Sequence, residues 1–304
     1  MATETTKGGG QRNKPNARAR AAALREQQRK QESRRKMLTI GGITTVVLAV
    51  VAVIVIVGVA KGNKSNKADS SLRTTASPTI VKQLTTIPAA TFQAVGAGTT
   101  TGGPTKVSGT PLTAGGKPVF FYYGAEYCPF CATERWAVVT ALGRFGTFSN
   151  LQQTTSASQD TPASIPTFSF YGAKFTSQYL TFQSVETYTN QQSGNFYSTL
   201  ETPTAAQQAL VQKYDGSNGS IPFLDFGNKY TSSGATYDYS VLQGKAPDEI
   251  AADILDPTSA TSKGVLGAAN SITAALCEMT NGQPGSVCNA PEIKTLRTAL
   301  TAKK

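Results

Sequence analysis

From Val119 to Cys131 the chain reads VFFYYGAEYCPFC. The five apolar or aromatic residues from Val119 to Tyr123 predict a strand that is buried on both faces. Two cysteines separated by two residues follow, and the segment from Ala132 to Phe145 has the composition of a helix. A thiolate at a helix start meets free backbone N–H groups and the positive end of the helix dipole, which lower its pKa. The order strand, Cys-x-x-Cys, helix therefore predicts a thiol–disulfide redox site.

The two cysteines are expected to differ in exposure. Cys131 lies seven residues before Val138, so it shares a helical stripe with the apolar residues Val138 and Leu142. We predict that Cys131 faces the core and resolves the mixed disulfide, whereas Cys128 lies at the exposed helix start and attacks or is attacked. Half of a metal site and a structural bridge are the alternatives.

The composition argues against several other chemistries. The sequence contains no histidine and only four cysteines, which excludes Ser/His/Asp and Cys/His catalysis and histidine metal sites. A metal at Cys128 and Cys131 would need two more ligands, and Cys277 and Cys288 are too far apart in sequence for a zinc knuckle. We therefore expect no metal and no cofactor.

The net charge of +11 is concentrated at the N-terminus. Residues 1–36 hold eleven Lys or Arg and three Glu, a net charge of +8, whereas residues 37–304 carry only +3. A basic tail can contact nucleic acid, but contact with anionic lipid beside a membrane anchor is the simpler use. We expect no nucleic-acid partner.

An uncharged segment of 23 residues, Leu38 to Ala60, is long enough to cross a bilayer core of ~30 Å as a helix. The basic residues Arg34 to Lys36 place its first end in the cytoplasm. A cleaved signal peptide is the alternative, since residues 58–60 are small, but the length of the apolar run and of the preceding tail favours an anchor. The predicted organisation is a basic cytoplasmic tail at 1–37, a transmembrane helix at 38–60, a flexible linker at 61–79 and an extracytoplasmic domain at 80–304.

The rest of the chain alternates short elements with turns. The predicted elements are a strand at Ile80–Leu84, a polar loop at Ser149–Pro166, strands at Thr167–Tyr171 and Gln178–Ser184 joined by a turn at Gly172, a helix at Ala205–Tyr214, a strand at Ile221–Gly227, a helix at Pro247–Ile254 and a C-terminal helical hairpin. Cys277 and Cys288 lie in that hairpin. A structural disulfide between them would close a 12-residue loop and stabilise the fold by about 2–3 kcal/mol. A second, shuttling redox pair is the alternative.

The polar and aromatic neighbours of the motif are given modest roles. Glu126 is expected to be a solvated rim residue, with proton relay as its alternative, and Glu134 and Arg135 are expected on a solvated helix face. Trp136 is expected to be a packing residue. Tyr127 and Phe130 can offer an apolar rim to unfolded substrates.

The motif and the order of the elements resemble the thioredoxin-like superfamily. Cys128-Pro129-Phe130-Cys131 is similar to the Cys-Pro-aromatic-Cys of glutaredoxins and to the Cys-Pro-x-Cys of DsbA-type enzymes. Ile221-Pro222 resembles the β-branched residue and cis-proline that face the active site in this superfamily. Ile165-Pro166 is a rival match, but Pro222 is favoured because a helix separates it from the motif. More closely, the ectodomain is similar to membrane-anchored actinobacterial proteins classed as a domain of unknown function.

The resemblance implies an α/β, thioredoxin-like fold: a central mixed sheet flanked by helices, with a C-terminal helical hairpin, preceded by one transmembrane helix. It also implies catalytic roles for Cys128, Cys131 and Pro222. Tyr122 stands where thioredoxins carry a buried Asp that is implicated in deprotonating the second cysteine. This departure, together with the outer compartment, favours oxidation or isomerisation over reduction.

Two functional hypotheses follow from the sequence. The first is a single-pass, extracytoplasmic thiol–disulfide oxidoreductase of the plasma membrane. It would act on exported proteins that contain thiols or disulfides, and it would exchange electrons with a membrane or envelope redox partner. The second is a non-catalytic envelope interaction module with a permanent Cys128–Cys131 disulfide.

Overall fold

A computed structural model describes residues 72–216 and 219–302. These residues belong to one compact unit, Lys67–Lys304. The predicted cytoplasmic tail, the predicted transmembrane helix and the first part of the predicted linker lie outside the described residues. Within the described ranges, no helix combines the length and the apolar character that a membrane span requires.

The described chain forms a mixed α/β structure. Its α-helices are α1 (Pro78–Thr85), α2 (Ala89–Val95), α3 (Pro129–Leu142), α4 (Ala205–Asp215), α5 (Pro247–Leu255), α6 (Ala260–Met279), α7 (Gly285–Cys288) and α8 (Pro291–Ala302). Its strands are β1 (Thr74–Thr75), β2 (Thr105–Lys106), β3 (Thr113–Ala114), β4 (Lys117–Gly124), β5 (Gly146–Ser149), β6 (Gln152–Thr155), β7 (Pro166–Ser169), β8 (Lys174–Ser177), β9 (Thr181–Glu186), β10 (Tyr188–Ser193), β11 (Phe196–Thr199), β12 (Phe223–Phe226) and β13 (Tyr230–Ser233).

The strand before the cysteines, β4, lies in the middle of the main sheet. It pairs in parallel with β9 and antiparallel with β12, and β12 continues through β13 to β2. Tyr122 is opposite Ser184 on one side and Leu224 on the other. Residues 119–122 are buried, as the continuous apolar run predicts for a strand with neighbours on both sides and cover on both faces. The prediction of a central strand is confirmed.

The helix that carries the cysteines is enclosed almost completely. Of the residues of α3, all but Phe130 are buried. The helix contacts β7 and the long helix α6. It begins at Pro129, three residues earlier than the predicted segment, and its last residue is Leu142, with Gly143 at the C-cap.

The region before the motif differs from the sequence-based expectation. Ile80–Leu84, predicted as a strand, forms the middle of α1, where Ile80 and Leu84 are buried four residues apart. Short apolar runs fit either element, and Pro78 at the first turn was the overlooked helix signal. The folded part also begins before residue 80, because β1 pairs with β6. The predicted linker therefore extends too far.

The segment between α3 and β9 is more regular than predicted. Residues 149–166, expected as a loop, contain β6, which pairs with β7. The two strands expected on either side of Gly172 lie in different sheets, since β7 pairs with β6 and β9 pairs with β4, and β8, between them in sequence, pairs with β5. The two-stranded β10–β11 ladder was not predicted.

The C-terminal helical hairpin is present. Helix α6 contacts α3, α5 and α8. Cys277 at the end of α6 and Cys288 at the end of α7 form the expected disulfide, with an S–S distance of 1.95 Å and a Cα–Cα distance of 5.5 Å. Both cysteines are fully buried, so the disulfide links α6 to α7 in the interior of the protein.

Candidate functional site

The sulfur of Cys128 caps the N-terminus of α3. The backbone of Cys128 is extended, and its Sγ accepts the backbone N–H of Cys131 over 3.3 Å. Pro129 occupies the first helical turn, where a missing N–H costs nothing and the fixed φ suits the helix. The Cys128 sulfur therefore caps the helix in the way that the side-chain oxygen of Ser, Thr, Asp or Asn commonly does at helix N-termini.

The two thiols have opposite electrostatic environments. Cys128 and Cys131 are free thiols. The Cys131 thiol donates to Cys128, and this bond is the main cause that lowers the Cys128 pKa, with smaller contributions from the Cys131 N–H and Arg135. Burial raises the pKa of Cys131 well above its usual value. The pair therefore contains one thiol prepared to ionise and one that holds its proton.

The prediction that Cys131 faces the core is confirmed, whereas the prediction that Cys128 is exposed is wrong, because both thiols are buried. Cys131 is fully buried, and Cys128 retains only 4% of its surface. Cys128 is more enclosed than a cysteine at an open helix start would be, because the loop before β12 lies over it.

That loop contains the predicted cis-proline. The Ile221–Pro222 peptide bond is cis, and the carbonyl oxygen of Ile221 lies 3.8 Å from Cys128 Sγ. The rival Ile165–Pro166 bond is not cis, and Pro166 instead starts β7, with its carbonyl accepting the indole N–H of Trp136 over 2.8 Å. Trp136 is fully buried, as the packing role predicts.

A buried ion pair lies behind the cysteines, contrary to the prediction that Arg135 is solvated. Arg135 is fully buried, and its Nε and Nη2 donate to the two carboxylate oxygens of Glu186 over 2.9 and 2.6 Å. Nη2 also donates to the carbonyl oxygen of Ala125 over 2.8 Å. The prediction failed because Glu186 lies 51 residues away in sequence, at the end of β9. The sequence does not show that this strand end lies beside α3.

A second buried ion pair corrects the expected position of Glu126. Glu126 is fully buried instead of lying on a solvated rim. Its carboxylate accepts from Arg73 Nη1 over 2.7 Å and from the hydroxyl of Ser169. Burial raises the Glu126 pKa, while Ser169 and Arg73 oppose that shift. The N-terminal extension that supplies Arg73 is what encloses this carboxylate.

Glu134 is also buried, although a solvated helix face was expected. The backbone N–H and the hydroxyl of Thr236 both donate to its carboxylate. Burial raises the pKa of Glu134 to about 7. A helix that is covered on every side has no solvated face, so its polar residues must find partners inside the protein.

Tyr122 lies in β4, at the position where the resemblance to thioredoxins leads one to expect a buried Asp. Its hydroxyl is buried and has no hydrogen-bond partner among the described residues. Its ring lies under the Arg135 guanidinium, 5.6 Å from ring centre to Cζ. A Cβ on Gly124 would lie 2.4 Å from the Tyr122 hydroxyl, so the turn into the motif needs glycine.

Aromatic side chains flank the cysteines on two sides. Tyr127 stacks on Tyr197 with 4.3 Å between ring centres, and Phe196 packs edge-on against both rings. Phe130 packs against Tyr239 on the other side. Phe196 and Phe130 are 48% and 44% exposed, unusual values for large apolar residues. The apolar rim expected from Tyr127 and Phe130 is thus extended by the β10–β11 ladder, which sequence reasoning missed.

No cluster of three or more potential metal ligands occurs among residues 72–216 and 219–302. The arrangement of this part of the chain is that of a dithiol pair with a lowered pKa at the outer thiol.

Comparison with known proteins identifies a family but no function. A search of curated proteins and a search of solved structures each found no match. The family model described as "Domain of unknown function (DUF929)" matches residues 103–278, which include both motif cysteines and Pro222. This match covers more than half of the chain, and the protein therefore belongs to the DUF929 family.

Proposed function

We propose that this protein is a thiol–disulfide oxidoreductase that uses the Cys128–Cys131 pair. The observation that carries the proposal is the position of Cys128 Sγ, which caps α3 and lies 3.8 Å from the carbonyl oxygen of Ile221. Helix N–H groups stabilise a thiolate at that point, and Cys131 is close enough to hydrogen-bond it. This arrangement supports nucleophilic exchange chemistry better than a structural role.

The fold supports the same proposal. Along the chain, β4, the motif, α3, β9, α4, the cis Ile221–Pro222 bond and the β12–β13 hairpin follow in the order expected of a thioredoxin-like domain. Strand β4 pairs in parallel with β9 and antiparallel with β12. We propose that the described residues form a thioredoxin-like domain of the DUF929 family.

In the oxidising direction, a substrate thiolate attacks Cys128 Sγ of the Cys128–Cys131 disulfide. The new substrate–Cys128 bond forms as the old disulfide breaks, and Cys131 leaves as a thiolate that takes up a proton. A second substrate thiolate attacks the substrate sulfur of the mixed disulfide, and Cys128 leaves as a thiolate. The substrate thus loses two electrons to the Cys128–Cys131 pair. The reduced pair then passes these electrons to the disulfide of an envelope redox partner by thiol–disulfide exchange, which restores its own disulfide.

We propose that the substrates are exported proteins and that the domain lies outside the plasma membrane. The support is the uncharged segment Leu38–Ala60 behind a basic tail and the placement of every cysteine after it. The exposed ring of Phe130, within the motif, and that of Phe196, which packs on Tyr127, are suited to apolar segments of unfolded chains.

The test is to trap the mixed disulfide in cells with Cys131→Ala. This variant cannot resolve the intermediate, so Cys128-linked adducts should appear on a non-reducing gel and vanish on reduction. The Cys128→Ala/Cys131→Ala double variant is the matched control and should give none. If Cys131→Ala gives no adduct and the purified protein neither reduces nor refolds disulfide substrates, the chain is instead a non-catalytic interaction module.

A further inference from the structure

The guanidinium of Arg135 lies one helical turn behind the cysteines. Arg135 follows Cys131 by four residues on α3, so the two side chains are neighbours on one helix face. The arginine is fully buried. A charge enclosed in this way is screened by little solvent, so the field at nearby thiols is set by Arg135 and by the carboxylate of Glu186 that partly compensates it.

The carbonyl group of Ala125 connects the arginine to the backbone at the start of α3. Arg135 Nη2 donates to the carbonyl oxygen of Ala125 over 2.8 Å, and the same oxygen accepts the backbone N–H of Cys128 over 3.3 Å. The backbone N–H of Ala125, which belongs to the preceding peptide group, also acts to lower the pKa of Cys131. The arginine thus holds the Ala125 carbonyl oxygen that accepts the backbone N–H of Cys128.

The Arg135 guanidinium does not use all of its hydrogen-bond donors within the described chain. Glu186 takes Nε and Nη2, while Nη1 is buried without a hydrogen-bond partner in the described chain. Tyr122 offers only its ring face, at 5.6 Å. Buried donors are rarely left unpaired, so an unused N–H group behind two thiols indicates a partner that is present only in some states of the site.

We propose that Arg135 is a positioning residue that stabilises the thiolate forms of Cys128 and Cys131, and that Glu186 fixes its guanidinium. This inference rests on the proposed thiol–disulfide exchange. When a substrate thiolate attacks Cys128, the Cys131 sulfur leaves with a negative charge, and the neighbouring cation lowers the energy of that leaving group.

The direction of the redox reaction follows from the same charge. A cation that stabilises thiolates favours the reduced form of the pair and makes its disulfide a stronger oxidant. Attraction to Arg135 acts to lower the pKa of both thiols, although burial outweighs this effect at Cys131.

The test is the pH profile of iodoacetamide alkylation of the reduced full chain. The variant Arg135→Met/Glu186→Gln removes the pair without leaving a lone buried charge. Its alkylation midpoint should rise by at least about one pH unit, and the equilibrium constant for reduction of its disulfide by glutathione should fall about tenfold. The control Arg144→Met/Glu292→Gln removes a partly buried pair beyond the other end of α3 and should leave the midpoint in place.

A second variant keeps the inference testable if the double variant does not fold. Glu186→Gln alone leaves the cation uncompensated and should shift the midpoint downward, which a merely structural role would not produce. A double variant that folds with the wild-type midpoint, or an upward shift in Glu186→Gln, would overturn the inference. Because alkylation needs no protein substrate, an unshifted midpoint alongside trapped adducts would refute only the role of Arg135. A shifted midpoint without adducts would refute the proposed function.

Discussion

Thr236 donates both its backbone N–H and its hydroxyl to the carboxylate of Glu134, over 2.9 and 3.0 Å. Among the described residues no cation pairs with this carboxylate. Burial raises the pKa of Glu134 to about 7, against the bonds from Thr236, which lower it. The contact fastens the segment after β13 to the helix that carries the cysteines.

This contact makes stability depend on pH. The folded-state pKa of Glu134 lies above its unfolded value of 4.5, so the folded state binds more protons between about pH 4.5 and pH 7. The contribution of Glu134 is therefore complete below pH 4.5 and is lost as pH rises to about 7, a change of about 3 kcal/mol. Glu134→Gln keeps the acceptor oxygen, removes the ionisation, and should flatten the profile.

Urea unfolding at pH 5 and pH 8 measures the effect. We expect Glu134→Gln to resemble the wild type at pH 5 and to be more stable at pH 8. Glu249→Gln, on the exposed start of α5, is the control for removing a carboxylate. Equal stability of Glu134→Gln and the wild type at pH 8 would contradict the assignment of this pH dependence to Glu134.

The elements around the motif could be predicted because local sequence determines them. An uninterrupted apolar run indicated β4, and the spacing of Cys131 and Val138 indicated which cysteine faces the core. The cis bond at Pro222 followed from the family resemblance, together with a helix placed before it. Ile80–Leu84 was assigned to the wrong element because a five-residue segment with three apolar residues fits a strand as well as a partly buried helix.

The buried charges could not be predicted, because their partners are distant in sequence. Arg135 and Glu186 are 51 residues apart, and Glu134 and Thr236 are 102. A charged residue on a helix is normally solvated, and the cover supplied by α6, β7 and other distant elements reverses that expectation for α3. The spacing of four residues between Cys131 and Arg135 was the one available signal.

The exposed ring of Phe196 is expected to bind protein substrates. It packs edge-on against Tyr127 and Tyr188 with ring centres 5.4 and 5.0 Å apart. Phe196→Ser should weaken binding of an unfolded substrate by about 1 kcal/mol, roughly fivefold in KM. Exchange with a small disulfide should not change, since a small molecule does not reach the ring.

The control for Phe196 is Leu255→Ser at the end of α5, another exposed apolar residue. Both variants should change the free energy of unfolding by less than about 0.5 kcal/mol. Equal KM values for the protein substrate in the wild type and Phe196→Ser would show that this surface takes no part in binding.

The hydroxyl of Tyr122 is expected to have no role in proton transfer. Burial raises its pKa well above the usual 10, so the phenol stays neutral and cannot accept the Cys131 proton. Tyr122→Phe should keep the alkylation profile and should be neutral or stabilising by up to about 1 kcal/mol, because an unpaired buried hydroxyl is removed.

Tyr237→Phe provides the matched comparison. The Tyr237 hydroxyl is also buried, but it donates to the carbonyl oxygen of Thr133. Its loss should cost about 1 kcal/mol of unfolding free energy. A slowed exchange rate in Tyr122→Phe, with stability unchanged, would instead identify the hydroxyl as part of the reaction.

The Cys277–Cys288 disulfide is expected to be structural. It is fully buried between α6 and α7. Replacing both cysteines by alanine frees a 12-residue loop in the unfolded chain, which should lower the free energy of unfolding by about 2–3 kcal/mol.

At a temperature where the variant is folded, its alkylation profile at Cys128 and its yield of mixed disulfide in the Cys131→Ala background should match those of the wild type. A pair that shuttles electrons predicts the reverse: the yield and the turnover of protein substrates fall even where circular dichroism shows a folded domain. Measuring turnover and unfolding on the same sample separates the two roles, since a structural bond changes turnover only through the folded fraction.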